Sequence, residues 1–437
     1  MRPAWAKLYT IAAAVLCAAL GILLPWWLIG ACLIVFLAWL GLTRPGRQAA
    51  LITAAGLATL PRRLGGASVV VLGVAGVVGV LVALLAMGRG YQAMLEATGS
   101  NDTAIVLGIG SQDGELGSVL SRGSAMIIAN EPQVMRGADG RPVASAELLV
   151  TASVPMKEGG RYGEVAIRGV GPQAWVIHKN VRIIAGRRFT PGLRELIAGE
   201  NVRREFADVE VGSTVEINGE PWKVVGAFDA HDAHNSELWG DIDVLGPAFG
   251  RGSSITSMTV RLRNPRLFRS FKAALASDPR LKVETQTTRA FYASQARGLT
   301  QSIRMLGILV ASIMAIGSVA GALNSMYTAV SARTREIATL RAIGFSGELV
   351  LLSVMIETTL LAVAGGVMGA GVTWIFFDHY TAATLGPDFT ELMFQFRVTP
   401  GLLVTGLRCA LAIGIVGGAL PALRAGQASV AAGIRLA

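Results

Sequence analysis

The side chains that could hold a metal ion or catalyse a reaction are few and scattered along this chain. His231 and His234 lie three residues apart with Asp229 and Glu237 nearby, a spacing that a helix could turn into a metal site. The stretch follows a strand-like segment, however, and is typical of a solvated surface loop. His178 is isolated, and no Ser/His/Asp or paired-carboxylate arrangement stands out. We therefore predict no catalytic residue, metal site or cofactor site in this chain.

A nucleotide-binding signature is the next chemistry to test. No Gly-x-x-x-x-Gly-Lys-Ser/Thr run, whose backbone would cradle phosphates, occurs in the 437 residues. ATP hydrolysis is therefore not expected of these residues, and any ATP would be bound by another polypeptide.

Two charged residues, Glu357 and Arg408, interrupt otherwise apolar segments. A charge at the centre of a membrane helix costs about 3 kcal/mol unless it is paired or hydrated. The depths of the two residues could overlap, so a Glu357–Arg408 ion pair is one hypothesis for how these charges are compensated. The alternative is that each side chain snorkels to water, or faces a dimer seam, independently of the other.

A short basic segment between two apolar runs, residues 333–346, has a helical pattern. Ile337, Leu340 and Gly344 fall on one helical face, while Arg333 and Arg341 are more polar. An apolar ridge of this kind can dock into a groove on a soluble partner, or the helix can lie at the membrane surface with its arginines on lipid phosphates. The residues concerned are Arg333, Arg335, Glu336, Ile337, Leu340, Arg341, Gly344 and Phe345.

The composition indicates a membrane protein. Apolar residues make up 52% of the chain and charged residues only 16%, too few to cover a soluble protein of this length. The net charge of +10 is unevenly placed: residues 91–302 hold 24 Lys/Arg and 23 Asp/Glu, so a surplus of nine lies beside the apolar segments. This distribution is typical of the positive-inside rule and argues against nucleic-acid binding.

A bilayer core about 30 Å thick requires roughly 20 apolar helical residues. Four segments meet this requirement: Leu64 to Gly88, Met305 to Ala332, Leu349 to Phe377 and Val398 to Leu423.

The N-terminal apolar run, Leu8 to Thr43, is too long for one upright span and short for two. Pro25 interrupts it, followed by two tryptophans that favour the membrane interface. We predict a helical hairpin with spans near Tyr9–Leu24 and Trp27–Leu42. One strongly tilted span and a cleaved signal peptide are the alternatives.

With the hairpin, basic residues fall on one side of the membrane, which predicts six spans and two cytoplasmic termini. The opposite short loop, 378–397, holds three acids and one arginine. The basic residues are Arg2, Lys7, Arg44, Arg47, Arg62, Arg63, Arg333, Arg335, Arg341, Arg424 and Arg435.

The polar block of residues 91–301 is then extracytoplasmic and has a mixed α/β pattern. Strand-like runs flank Asn218-Gly219, a strong hairpin signal, and Pro265 to Ala276 is typical of a helix. The predicted fold class is an α-helical transmembrane bundle of six spans with a large extracytoplasmic α+β domain.

The segment from Arg333 to Gly344 resembles the signature of the FtsX-like or MacB-like permeases of ABC transporters, in which an Arg-x-Arg-Glu-Ile-x-x-Leu-Arg-Ala-x-Gly run joins two spans. The resemblance continues upstream through Gly321-Ala-Leu-Asn324 and downstream through Glu357 to Gly417-Gly418-Ala-Leu-Pro421. The polar block also resembles that family's extracytoplasmic domain. The N-terminal hairpin departs from the family's four-span pattern.

Beside the N-terminal hairpin (1–48), which is predicted from the residues alone, the resemblance implies three regions: a span (64–90), a MacB-like core domain (91–301) and an FtsX-like permease domain (302–437) with a coupling helix (333–346). It further implies a permease homodimer in the inner membrane, bound to separate ATPase subunits. The spans would transmit ATP-driven closure to the outer domain, for export or extraction of a lipid, lipoprotein or peptide. An unknown extracytoplasmic partner or substrate is expected, as are contacts with membrane lipids.

The alternative function is that of a regulatory membrane scaffold, which transmits a conformational signal to an extracytoplasmic enzyme. In either case small residues should support helix packing. The spacings Gly317-x-x-x-Gly321 and Gly365-x-x-x-Gly369 could serve a dimer interface or contacts within one chain, and we favour the interface for the helix of Gly317.

Overall fold

The computed structural model describes residues 2–59, 61, 64–110, 114–157, 159–385 and 390–427. The chain forms two compact units. The helical unit comprises residues up to 87 together with 303–379 and those from 397 onward, and the sheet unit comprises 88–302 and 380–396. Three of the arginines used to predict the orientation, Arg62, Arg63 and Arg435, lie outside the described residues.

The helices are α1 (Arg2–Leu23), α2 (Trp26–Leu42), α3 (Arg44–Ala58), α4 (Leu64–Thr98), α5 (Arg122–Ala129), α6 (Ala174–Ile177), α7 (Glu200–Glu205), α8 (Ile242–Ala248), α9 (Phe268–Ser277), α10 (Thr288–Ala332), α11 (Thr334–Ala342), α12 (Gly347–Phe377) and α13 (Pro400–Gly426). The four predicted spans of the permease region fall within α4, α10, α12 and α13.

The predicted count of six spans is not confirmed. Within the part of the chain that the structure describes, four helices are long and apolar enough to cross a membrane, or five if the bent pair α2 and α3 is one span. The hairpin appears as two helices, α1 and α2, separated at Pro25, but α2 has only 17 residues. Thr43 ends α2 and caps α3, its hydroxyl accepting from the Gly46 N–H at 3.0 Å, and the axis turns by 93° there.

Helices α4 and α12 approach each other at glycines. A Cβ atom added to Gly365 would lie 2.5 Å from the Val71 carbonyl oxygen, and one added to Gly369 would lie 2.3 Å from that of Ala75. Only residues without a side chain allow the two backbones so close. This glycine pair therefore makes an intramolecular contact, one of the two uses that its spacing predicted.

The other glycine pair lies on α10. Gly321 faces Val69 of α4, 3.5 Å from where its Cβ would be, whereas nothing lies within 4 Å of a Cβ at Gly317. Gly317 is exposed in the single chain. Gly321 therefore makes a contact within the helical unit, whereas Gly317 lies on an open face of α10.

The sheet unit is built on a ten-stranded mixed sheet in the order β10-β1-β9-β2-β3-β8-β5-β7-β4, with β6 paired to β7. A separate ribbon is formed by β11 and β12. The strands are β1 (Thr103–Gly108), β2 (Ala144–Pro155), β3 (Tyr162–Val170), β4 (Arg182–Gly186), β5 (Glu195–Gly199), β6 (Thr214–Ile217), β7 (Glu220–Asp229), β8 (Glu237–Asp241), β9 (Ser257–Arg261), β10 (Val283–Thr287), β11 (Thr381–Leu385) and β12 (Glu391–Gln395).

The predicted hairpin is confirmed between β6 and β7. Asn218 (φ +52°) and Gly219 (φ +76°) both adopt the left-handed conformation that a tight two-residue turn requires. The predicted helix at 265–276 is also present, as a 3-10 turn at Pro265–Leu267 followed by α9. Phe271 and Leu275 of α9 are fully buried in the core of the sheet.

A buried ion cluster joins the central strands of the sheet. The Arg168 guanidinium on β3 donates to both carboxylate oxygens of Glu237 on β8, each at 2.8 Å, to Glu115 at 2.8 Å and to Glu147 on β2 at 2.9 Å. Burial by itself raises the pKa of Glu147, but His178, at 2.8 Å, and Arg168 outweigh it and lower that pKa to about 2. Arg168 thus holds together carboxylates that could not share this site without a cation.

The histidine stretch is not the solvated loop that the sequence predicted. His234 is 1% exposed and its Nδ1 lies 2.9 Å from the Asp232 carboxylate, whereas His231 remains exposed. The stretch forms a 3-10 helix (Ala233–Ser236) before β8, which turns His234 against Trp239 and His178. His178, isolated in sequence, is therefore part of the ion cluster.

Replacing Arg168 with methionine should destabilise the sheet unit by about 3 to 5 kcal/mol, because three buried carboxylates lose their common cation. Hydrogen–deuterium exchange of the full chain in detergent should show lost protection in peptides from β2, β3 and β8. Arg280→Met is the matched control, since Arg280 pairs with Asp278 at the surface, where water screens the two charges and the loss of the pair should change protection little. Equal protection in both variants would contradict the assigned role of Arg168.

Replacing Gly369 with alanine should destabilise the helical unit by about 1 to 3 kcal/mol, because the new methyl group overlaps the α4 backbone. The measurement is the thermal unfolding midpoint of the purified chain in detergent. Gly371→Ala is the control on the same helix, since a Cβ there meets nothing within 4 Å. If both variants melt at the same temperature, the close approach of α4 and α12 is not present in solution.

Candidate coupling site

The predicted helix of the basic segment is present as α11, and it ends abruptly. Gly344 adopts φ +107°, and the Phe345 N–H donates back to the Leu340 carbonyl at 3.1 Å, while the Gly344 N–H donates to that of Arg341 at 3.1 Å. These two bonds form a Schellman motif, which a glycine permits without strain. The glycine in the signature therefore stops α11 so that the chain can turn into α12.

The apolar ridge of α11 faces the helical unit itself. Ile337 is 7% exposed and packs with Val330, Val350, Val354 and other residues of α10, α12 and α13. The sequence predicted that this ridge could dock on a partner, but Ile337 is covered by the chain's own helices and Leu340 is half-buried. The apolar face of α11 is therefore covered by the neighbouring helices of the same chain.

The outward face of α11 carries different residues. Ile343, the residue that ends α11, is 72% exposed and lies on the same side as Arg335. The exposed residues of this face are Arg335, Glu336, Thr339, Ala342, Ile343 and Gly344.

Arg341 anchors the C-terminal end of α11. Its Nη1 donates to the Gly426 carbonyl at 3.3 Å, at the C-terminus of α13, where a cation complements the helix dipole. Gly347, the first residue of α12, lies against the same carbonyl, since a Cβ there would be 2.4 Å from it. Arg341 is thus an intramolecular contact and half-buried, not a residue of the open face.

Arg333 anchors the N-terminal end of α11. Its side chain contacts more secondary-structure elements than any contact predicted from the sequence. Its Nη1 lies 3.3 Å from the Glu357 carboxylate on α12, and its Nη2 donates to the Gly56 carbonyl at 2.5 Å and to the Thr59 hydroxyl. Its Nε lies 3.8 Å from the Glu336 carboxylate. The side chains of Arg333 and Glu357 are 16% and 6% exposed, so this is a largely desolvated ion pair.

The predicted Glu357–Arg408 pair is wrong. Across α12 and α13, Gly366 lies against Ala410, and Gly414 against Ala362, which fixes an antiparallel register. This register puts Arg408 about three helical turns, roughly 16 Å, from Glu357 along the axis. Arg333, which precedes α11, occupies the place of the expected cation.

Sequence reasoning missed α3 as a part of the site. Its buried residues are Gly46, Ala49, Thr53 and Gly56, a stripe at helical spacing whose first member lies against the end of α2 and whose Thr53 and Gly56 face Ser353 and Glu357 of α12. The repeated small residues were visible in the sequence, but they lie in a stretch of moderate polarity between the predicted hairpin and the next span. The link from this stripe to Arg333 was not visible, because it joins residues 277 positions apart.

Two family models match the chain. The MacB-like periplasmic core domain matches residues 67–277, and the FtsX-like permease C-terminal model matches residues 308–430. Together they cover most of the sheet unit and most of α4, α10, α11, α12 and α13.

Curated relatives agree with these matches. The macrolide export ATP-binding/permease protein MacB of Neisseria gonorrhoeae is 24% identical over 386 residues, covering 82% of this chain and 56% of that protein. The uncharacterized ABC transporter permease YknZ of Bacillus subtilis is 22% identical over 380 residues, covering 80% of this chain and 90% of that protein. This chain spans a little over half the length of the MacB relatives that it matches.

A solved structure, the periplasmic region of MacB from Actinobacillus actinomycetemcomitans, aligns with 45% of this chain and 94% of its own at 15% identity and a TM-score of 0.35. The family rests on the two models and the curated relatives, which cover both the sheet unit and the helices that hold Arg333 and Glu357. The chain belongs to the FtsX-like and MacB-like family of ABC transporter permeases.

Proposed function

We propose that this chain is the transmembrane subunit of an ABC transporter whose ATPase is a separate polypeptide. The relative YknZ, a permease, is covered over 90% of its length, whereas the ATP-binding/permease protein MacB is covered over 56%. The 437 residues also carry no Gly-x-x-x-x-Gly-Lys-Ser/Thr run. The nucleotide site of the proposed transporter therefore lies outside these 437 residues.

The observation that carries the proposal is the two-sided character of α11. Its inner face is packed on Val330, Val350 and Val354, and its ends are tied by Arg333 and Arg341, while its outer face exposes Arg335, Thr339 and Ile343. A helix held so firmly on one side can pass a displacement on to the helices behind it. In this proposal the ATPase binds the outer face around Ile343, and not the ridge of Ile337 and Leu340.

The remaining parts of the proposal concern assembly and cargo. The protein lies in the inner membrane with α11 and both termini on the cytoplasmic side, and two copies meet through the open face of α10 at Gly317. Closure of the ATPase moves the sheet unit outside the membrane. The work is done on a lipid, lipoprotein or peptide during its export or extraction.

Replacing Ile343 with aspartate should remove the ATPase from the complex, because a charge replaces the apolar centre of the contact face. The chain is purified from its native membranes, and the amount of co-purified ATPase and the ATP turnover per permease are measured. Both should fall at least about tenfold, since a change of this kind at a contact centre typically costs about 2 kcal/mol.

Val119→Asp provides the matched control, because Val119 is an exposed valine (60%) of the sheet unit. This variant should retain the ATPase at the wild-type ratio. A wild-type chain that never carries a nucleotide-hydrolysing companion would overturn the proposed function. An Ile343→Asp variant that keeps its companion would instead overturn the assignment of the contact face.

A further inference from the structure

We infer that α3 positions the coupling helix α11 through Arg333, so that a helix outside the residues matched by the permease models sets how the ATPase contact is presented. The inference deepens the proposed function and rests on it for the meaning of α11, but the geometry of α3, Arg333 and α11 can be tested without an ATPase.

The first observation is how α3 is attached. Its stripe of buried small residues lets α3 lie close to the N-terminal half of α12. Within this contact the Thr53 hydroxyl lies 3.2 Å from the Ser353 hydroxyl, and both residues are buried. Ala49 is fully buried (0%), whereas Ala54 on the same helix is exposed. The contact is therefore specific to one face of α3.

The second observation is the junction between α10 and α11. α10 ends at Ala332 and α11 begins at Thr334, so that Arg333 is the single residue between them, with φ −105° and ψ +11°. A one-residue break leaves the angle between two helices to be set by side-chain contacts. At the break itself the Arg333 guanidinium contacts α3 and α12, while Ile337 and Arg341 hold the rest of α11.

The third observation is what holds that guanidinium. It donates to the Gly56 carbonyl and the Thr59 hydroxyl, which lie at the C-terminal end of α3, where exposed carbonyls favour a cation. On its other side lies the Glu357 carboxylate of α12. Because the donors of guanidinium are fixed in one plane, contacts to α3 and α12 together orient the Arg333 side chain.

The fourth observation is the small space at this junction. A cavity of about 60 Å³ is lined by residues from α3, α10, α11 and α12, among them Gly56, Arg333, Leu340 and Glu357. Because residues of all four helices meet around this space, a shift of α3 reaches Arg333 and Leu340 of α11. Arg333 is therefore a positioning residue, which acts on the ATPase contact through α11.

The test compares Ala49→Leu, which forces α3 away from α12, with Ala54→Leu, the same change on the exposed face. The full chain in detergent is exposed to trypsin, and the rate of cleavage after the exposed Arg335 in α11 is measured by mass spectrometry. We expect cleavage about tenfold faster in Ala49→Leu than in the wild type, because a loosened α11 opens more often, and no change in Ala54→Leu.

A tether distinguishes positioning from a general loss of folding. In a chain whose Cys17, Cys32 and Cys409 are replaced by alanine, Thr53→Cys and Ser353→Cys are introduced into the Ala49→Leu variant; this pair is chosen because the two native side chains meet across α3 and α12, with their hydroxyls 3.2 Å apart. Oxidation should return the cleavage rate at Arg335 to the wild-type value, and reduction should raise it again. A chain that has simply unfolded would not be rescued by one bond.

Equal cleavage rates in the Ala49→Leu and Ala54→Leu variants would overturn the inference, as would a disulfide that forms without restoring protection. Turnover in the ATPase complex provides the second readout. Ala49→Leu should retain the companion but lose turnover at least fivefold, unlike Ile343→Asp, which should lose the companion itself. If no companion binds any form, the proposed function fails while the proteolysis result still decides the role of α3.

Discussion

A guanidinium group withdrawn from water must find its partners inside the protein, and Arg333 finds them on two other helices. The Glu357 carboxylate of α12 and the C-terminal end of α3 approach because the charge between them would otherwise be buried without compensation. The same constraint shapes the sheet unit, where Arg168 gathers Glu115, Glu147 and Glu237 from separate segments. In both units a single arginine determines which elements come together.

Much of the helical unit follows from apolar content alone. The four spans of the permease region and the turn at Asn218-Gly219 of the sheet unit each depend on residues close together in sequence, so local patterns were sufficient to predict them. The N-terminal region was harder, because Pro25 and Thr43 divide it into helices whose lengths are ambiguous for a bilayer. A sequence that forms a hairpin of two spans has nearly the same composition as one that forms a bent pair of helices.

The partners of the charged residues could not be predicted in the same way. A periodic pattern shows that α11 has an apolar face, but it does not tell whether the neighbour belongs to the same chain. Glu357 and Arg408 seemed to match in depth, yet the register between α12 and α13 is set by glycine contacts that no local pattern reveals. The ion cluster around Arg168 could not be predicted from the sequence for the same reason, since its members come from β2, β3, β8 and a loop.

The backbone contact between α4 and α12 limits how the helical unit can deform. Where a glycine rests on a carbonyl oxygen, neither helix can slide or roll without a collision, whereas α10 meets its neighbours through side chains such as Ser318 and Ala322, which can change rotamer or yield slightly. Helices α4, α12 and α13 then behave as one stiff body. The room for movement is concentrated on α10, the helix that is joined to α11 through the single residue Arg333.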